Sequence, residues 1–293
     1  MSELPKDIFK SVRQIEIRTK GIVNNIFSGE YRSSFKGTGM EFSEVREYQY
    51  GDDIRTIDWN VSARHDSPYI KIFHEEREQT LMLMIDASGS QWFGSKYSLK
   101  YEYAIQLAAV LAFSAIKNND KVGLCIFSDR IERFIAPRKG RTHVLRVLRE
   151  LFAFQPEYRS TKISIAAEYI SRILKRRSII FMVSDFDDSG FEKELKILNQ
   201  KHDFIAVSVR DLGELIIPDI GLVRVMDPET GKEKLVNFSS KAVKEQFRNY
   251  YILQHEQSKE LLKKLQIDTV ELFTNQDLVE KLMAFFHKRG SRK

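Results

Sequence analysis

The chain has 293 residues, room for two domains or for one α/β domain with additions. With 42% hydrophobic and 30% charged residues it can bury a core, so disorder is not the default expectation. The net charge of +6 is mild and partly gathered in basic stretches at residues 175–177 and 287–293, expected to be solvated. No RNP-like aromatic pattern or zinc-knuckle spacing supports a nucleic-acid surface.

Residues 1–28 carry apolar positions at helical spacing, Ile8, Val12, Ile15, Ile22 and Ile26 among them, and predict an N-terminal helix. Gly29 and the Ser/Gly-rich stretch 33–39 end it. Residues 40–77 read as short, irregular elements rich in paired charges. From Leu81 the texture changes. Leu81, Met82, Leu83, Met84 and Ile85 form an unbroken apolar run, as expected of a strand buried on both faces of a parallel sheet. Further strands are expected at 122–127, 178–184, 204–209 and 269–273. Helices are expected at 97–117, 142–154, 163–175, 191–200, 240–265 and 276–288. Their alternation predicts an α/β fold: a doubly wound, mainly parallel sheet flanked by helices. Two hairpins are expected, 122–127 with 131–135 and 222–226 with 233–238. The domain reading is an N-terminal helix and Arg/Asp-rich extension, 1–78, packed on an α/β core, 79–290. The single cysteine, Cys125, lies in an apolar run and excludes an internal disulfide. The first residues show no secretory pattern, and no run of 18 apolar residues occurs, so a cytoplasmic protein without a membrane span is expected.

The first buried strand ends in Asp86, Ala87, Ser88, Gly89, Ser90. Open α/β sheets bind ligands at the carboxyl ends of their strands. One carboxylate and two hydroxyls are hard oxygen donors, suited to Mg²⁺ or Mn²⁺ rather than zinc or copper. The competing reading is a turn that caps the next helix, because Asp and Ser favour such positions. Two other loops belong to the same edge. Thr161 precedes the helix expected from Ile163, and Asp185 ends the buried strand 178–184 as Asp86 ends its own. Asp187 and Asp188 follow closely, so the choice among the three acids stays open.

A D-x-S-x-S loop after a first strand, a later Thr and a later strand-end Asp resemble the metal-ion-dependent adhesion site of von Willebrand factor A domains. Upstream, Gly37, Thr38, Gly39, then Arg46, Glu47, Tyr48, then Gly51, Asp52, Asp53, Ile54, Arg55, Thr56, Ile57, Asp58, Trp59 and Arg64 closely resemble the bacterial domain-of-unknown-function family 58. The likeness covers roughly residues 30–290 and is strongest over 37–90. It implies a von Willebrand factor A-like fold and metal ligands at Asp86, Ser88, Ser90, Thr161 and Asp185. It also implies a chaperone-like interaction role beside a MoxR-type AAA+ ATPase or its client, with a partner Asp or Glu completing the shell of Mg²⁺ (or Mn²⁺).

Arg46, Arg55 and Arg64 interleave with Glu47, Asp52, Asp53 and Asp58. Arg forks pair with carboxylates in fixed geometry, so one expectation is a salt-bridged clamp with Trp59 as its buried anchor. The other is a partner-binding surface formed by the three arginines. Enzyme readings are weaker. The six histidines, at 65, 74, 143, 202, 255 and 287, show no zinc spacing, Ser88 is not in a nucleophile elbow, and Gly231 and Lys232 lack the rest of a P-loop. A non-enzymatic interaction module is therefore expected. The alternative is a Mg²⁺-dependent phosphohydrolase, though the first strand lacks a D-x-D nucleophile pattern.

Overall fold

The computed structural model describes residues 29–31, 34–35, 41–65, 67–74, 78–94, 98–229 and 231–291. The helix expected at 1–28 and the glycines at 37 and 39 lie outside them. The chain divides into two compact units, residues 35–79 and a larger unit that takes the rest. The boundary falls between Gln79 and Thr80, and Ser34 groups with the larger unit, where its hydroxyl donates to the Phe286 carbonyl at 2.8 Å.

In the smaller unit, β1 (Glu41–Glu47) pairs antiparallel with β2 (Tyr69–His74). A 3-10 turn (Ile54–Thr56) and a one-turn helix, α1 (Trp59–Ser62), connect them. Asp53 and Asp58 cap these turns by accepting backbone N–H bonds, from Arg55 and from Asn60 and Val61.

The larger unit is built on six strands: β3 (Thr80–Asp86), β4 (Lys121–Phe127), β5 (Ile131–Arg138), β6 (Ile179–Ser184), β7 (Asp203–Arg210) and β10 (Asp268–Phe273). Their order is β10-β7-β6-β3-β4-β5, all parallel except β5, which returns antiparallel at the edge. The expected hairpin of residues 131–135 is thus the antiparallel strand. It carries Pro137, which an edge strand tolerates because one side of its ladder needs no donor. A separate hairpin, β8 (Leu222–Met226) with β9 (Glu233–Asn237), stands between β7 and the last helices.

Among the described residues, the unit's long helices are α2 (Lys100–Lys117), α3 (Arg141–Ala153), α4 (Ile163–Ile173), α5 (Glu192–Lys201), α6 (Lys241–Lys264) and α7 (Leu278–Gly290). Leu81 to Ile85 are fully buried, as a strand covered on both faces must be. Met82, Met84, Cys125 and Phe127 project to one face, against Ile163, Ala166 and Ile170 of α4 and Leu195 and Leu198 of α5. Cys125 is a free, buried thiol, pushed up to about 12 by burial, and so inert. α2 is buried almost all round, which accounts for its run of Ala and Leu.

The topology fixes one position. From β3 the chain runs to β4 and β5 on one side, then returns to β6 on the other. The switch point lies between β3 and β6, where an open α/β sheet leaves a crevice at its carboxyl edge. Asp86 ends β3, and Asp185 immediately follows β6.

Candidate metal and ligand site at the sheet switch point

The loop after β3 is tied down at each end. Ala87 N–H donates to the Phe127 carbonyl at 2.8 Å and Gly89 N–H to the Arg159 carbonyl at 2.7 Å. The 3-10 turn Gly89–Trp92 starts at Ser88, and the Ser88 side chain makes no capping bond. Asp86 does shape the turn, its Oδ1 accepting the Ser88 N–H at 2.9 Å. The turn reading therefore applies to the Asp86 carboxylate, whereas the Ser88 hydroxyl is left to face Ser90. The two Oγ atoms lie 3.2 Å apart.

Asp86 is buried, and its Oδ2 accepts the Ser184 hydroxyl at 2.6 Å. Burial, then the nearby Asp185 charge, push its carboxyl up to about 7. Asp185 goes the other way. Burial alone would raise it, but the Lys100 ammonium, with Arg210 behind it, holds it well below the usual carboxylate range, and the nearby Ser90 hydroxyl lowers it further. Asp185 thus lies in the electrostatic neighbourhood of Ser90 and Asp86. Asp188 is committed elsewhere, accepting the Ile163 N–H at the start of α4 at 2.9 Å. Asp187 is half-buried, and desolvation and the Asp185 charge raise its carboxyl.

The turn after β6 is strained. Phe186 is buried at φ 57, a left-handed conformation that costs a bulky residue about 1–3 kcal/mol. The Ser184 hydroxyl accepts its N–H at 3.0 Å, and the Ser258 hydroxyl donates to its carbonyl at 3.0 Å. These bonds fix the backbone immediately after Asp185.

Thr161 comes from the third loop, whose Lys162 N–H donates to the Ser128 carbonyl at 3.0 Å. Its hydroxyl donates to Oε1 of Glu229, at the tip of the β8–β9 hairpin, at 3.0 Å. Burial raises the Glu229 carboxyl, with the Asp185 charge adding to it. The tip also presses on the serine loop: a Cβ at Gly89 would meet the Pro228 carbonyl oxygen at 2.1 Å. Only glycine fits there.

Lys100, Arg210, Glu214 and Glu229 belong to this cluster and escaped the sequence reading. The Lys100 Nζ donates to Asp185 Oδ2 at 2.9 Å and to Glu214 Oε1 at 2.7 Å, with all three side chains buried. Burial disfavours its ammonium, yet the two carboxylates outweigh that and raise its pKa. Arg210 donates to the Asp185 carbonyl at 2.8 Å. Arg210 ends the buried strand β7, so the strand-end rule that found Asp86 and Asp185 reaches it too. Lys100, Glu214 and Glu229 carry no such local signal.

The donor set suits a hard divalent ion. Two ligands on adjacent corners of an octahedron at 2.0–2.1 Å from Mg²⁺ stand roughly 3 Å apart. The Ser88–Ser90 separation is of that size. Among the described residues no group of three or more His, Cys, Asp or Glu could hold a metal, so any ion here depends on hydroxyls.

In the smaller unit, Arg46 forks onto Asp52 at 2.8 Å for both bonds, the pairing expected of a clamp. Gly51 makes the turn between them at φ 107. The rest of the clamp expectation is corrected. Trp59 is 70% exposed rather than a buried anchor, because α1 is a single turn with no buried residue. The Arg55 side chain is 89% exposed and pairs locally with Asp53 at 3.2 Å, and Arg64 is exposed.

The family model described as "Protein of unknown function DUF58" matches residues 44–257. The chain belongs to this family. It is 27% identical over 224 residues to the uncharacterized protein Mb1516 of Mycobacterium bovis, covering 75% of this chain and 71% of that one. A 110-residue stretch, 37% of the chain, is 31% identical to the uncharacterized protein YeaD of Bacillus subtilis, covering 25% of it. Among solved structures, an aerotolerance-related membrane protein from Bacteroides fragilis aligns with 73% of this chain and 100% of its own, at 15% identity and a TM-score of 0.50. BatB from Bacteroides thetaiotaomicron aligns with 73% of this chain and 99% of its own, at 12% identity and a TM-score of 0.49. At these identities the likeness concerns fold alone, and the fold of this DUF58 protein is von Willebrand factor A-like. Among the described residues no helix is long and apolar enough to cross a membrane.

Proposed function

We propose that this DUF58 protein is a protein-interaction module whose switch-point crevice holds one Mg²⁺ or Mn²⁺ and docks a carboxylate of a partner. The observation that carries the reading is the approach of the Ser88 and Ser90 hydroxyls to 3.2 Å between the two buried carboxylates of Asp86 and Asp185. Ser88, Ser90 and Thr161 supply neutral hydroxyls, and Asp86 and Asp185 supply charge directly or through water. A bound ion contributes electrophilicity toward an incoming Asp or Glu. The chain's own residues keep that electrophilicity high. Lys100 already neutralises part of Asp185, and Asp86 shares its charge with Ser184 and the Ser88 amide. A site with few uncompensated negative charges leaves room for a partner's anion.

The family resemblance supports a MoxR-type AAA+ ATPase or its client as the partner, in a chaperone-like assembly role. Arg46, Arg55 and Arg64 are proposed as secondary partner contacts. Exposed Arg55 lies near exposed Trp59, Ile54 and Tyr50 in sequence, and Arg, Trp and Tyr dominate interface energetics.

Titration calorimetry with Mn²⁺ tests the reading. Asp86→Ala with Ser88→Ala should abolish binding while circular dichroism stays unchanged. Equal affinity in the double variant and the parent would refute the metal assignment.

A further inference from the structure

The β8–β9 hairpin does not need to approach the site in order to close its own ladder. Its five paired positions, from Leu222 with Asn237 to Met226 with Glu233, are complete before the tip begins. The tip nonetheless reaches both loops that carry the hydroxyl ligands. Its Pro228 carbonyl oxygen lies 2.1 Å from where a Cβ of Gly89, the residue between Ser88 and Ser90, would be, and Glu229 Oε1 accepts the Thr161 hydroxyl at 3.0 Å. That spacing again matches adjacent corners of an Mg²⁺ octahedron, roughly 3 Å. Internal bonds hold the tip in this pose: Asp227 Oδ1 accepts the Glu229 N–H at 2.9 Å, and the Gly231 N–H donates to the Asp227 carbonyl at 2.9 Å.

We propose that Glu229 is an internal ligand of the site, a carboxylate of the chain's own hairpin standing where a partner's Asp or Glu would bind. The proposal rests on the metal reading above and adds its regulation. In the resting chain the crevice is self-capped, and a partner gains access by lifting the β8–β9 tip. Glu229 suits a displaceable cap. It is only half-buried, and it is carried on a hairpin whose outer side chains Leu222, Met226 and Leu235 are exposed. A residue larger than glycine at position 89 would hold the tip off permanently.

The test uses the full chain, Mn²⁺ as the metal and acetate as the carboxylate probe. Parent, Glu229→Gln and Glu229→Ala are compared by calorimetry and by water-proton relaxation of bound Mn²⁺. Loss of the internal carboxylate should weaken Mn²⁺ binding and raise the relaxation enhancement, because water takes the vacated position. If the tip is closed about nine parts in ten, Mn²⁺-loaded Glu229→Ala should bind acetate about tenfold more tightly than the parent. Equal Mn²⁺ affinity, equal relaxation and equal acetate binding in all three would overturn Glu229 as a ligand and leave the metal site standing. Absence of Mn²⁺ binding in all three would overturn the metal reading and the proposal together. Glu229→Gln keeps shape and hydrogen bonding, so its fold, checked by circular dichroism, separates loss of charge from loss of the hairpin.

Discussion

The chain uses opposite charges in two settings, and the contrast says which of them carry stability. At the sheet's carboxyl edge, Lys100, Asp185 and Glu214 meet with side chains no more than 8% exposed, drawn from segments 85 and 114 residues apart. In the 35–79 unit, Arg46 with Asp52 and Arg55 with Asp53 pair over six and two residues, in far more open positions. A buried ion pair is weak evidence of stabilisation by itself, but removing one member strands the other in a low dielectric. An exposed pair leaves only a solvated charge behind.

The largest effect should therefore follow from Lys100→Met. It leaves Asp185 and Glu214 facing each other without their shared cation, at an expected cost of about 3–5 kcal/mol. Urea unfolding of the metal-free protein measures it. Adding Glu214→Gln to the Met variant should recover part of the loss, since one of the stranded charges is then gone. A double variant no more stable than the single one would show that the ammonium serves packing rather than charge balance.

A second, smaller effect follows from the opposed carboxylates of the same edge. The folded-state pKa of Asp86 is raised to about 7, above that of the unfolded chain. Its contribution is fully present below about pH 4 and lost as pH rises through about 7, each pH unit of displacement being worth about 1.4 kcal/mol. Asp185 is depressed, so its contribution is present above the unfolded value and lost only at still more acid pH. Metal-free protein should thus lose stability between about pH 4 and pH 7 relative to Asp86→Asn. Parallel pH profiles for the two proteins in a chelating buffer would show that Asp86 is not protonated by its burial.

The same contrast explains what could be read from the chain before its fold was known. The strands were legible because each central one is buried on both faces, so the apolar runs at 81–85, 122–127 and 179–183 are unbroken. Asp86 and Asp185 were legible because such a run must end at the sheet edge, and an acid just there has a reason. Lys100, Glu214 and Glu229 were not, because each acquires its role from a residue 68 or more positions away. Lys100 looks like an ordinary first-turn lysine of α2 until β6 and β7 bring two carboxylates to it. Trp59 failed for the opposite reason. Alternation of Ile57 and Trp59 resembles a half-buried strand, but Asp58, between them, caps a single helical turn that starts at Trp59 and leaves the indole exposed, while Ile57 bridges to Ile70.

The smallest expected effect is the sharpest test of the comparison. Among the described residues the Arg55 side chain bonds only to Asp53, two residues back, and that carboxylate is already occupied by the Arg55 backbone N–H at 3.0 Å. Removing the side chain leaves the cap intact and exposes nothing that was covered. Arg55→Ala should then move the melting midpoint by no more than about 1 °C, within the range of open surface pairs. Calorimetry in low salt, where surface pairs count most, is the measurement. A fall of several degrees would mean that the 35–79 unit relies on Arg55 as a clamp, and that its exposed charges resemble those at the sheet edge. An unchanged midpoint combined with weaker capture of a partner would assign Arg55, with the exposed indole of Trp59, to recognition. The two settings would then divide the labour, buried charge shaping the site and exposed charge meeting the partner.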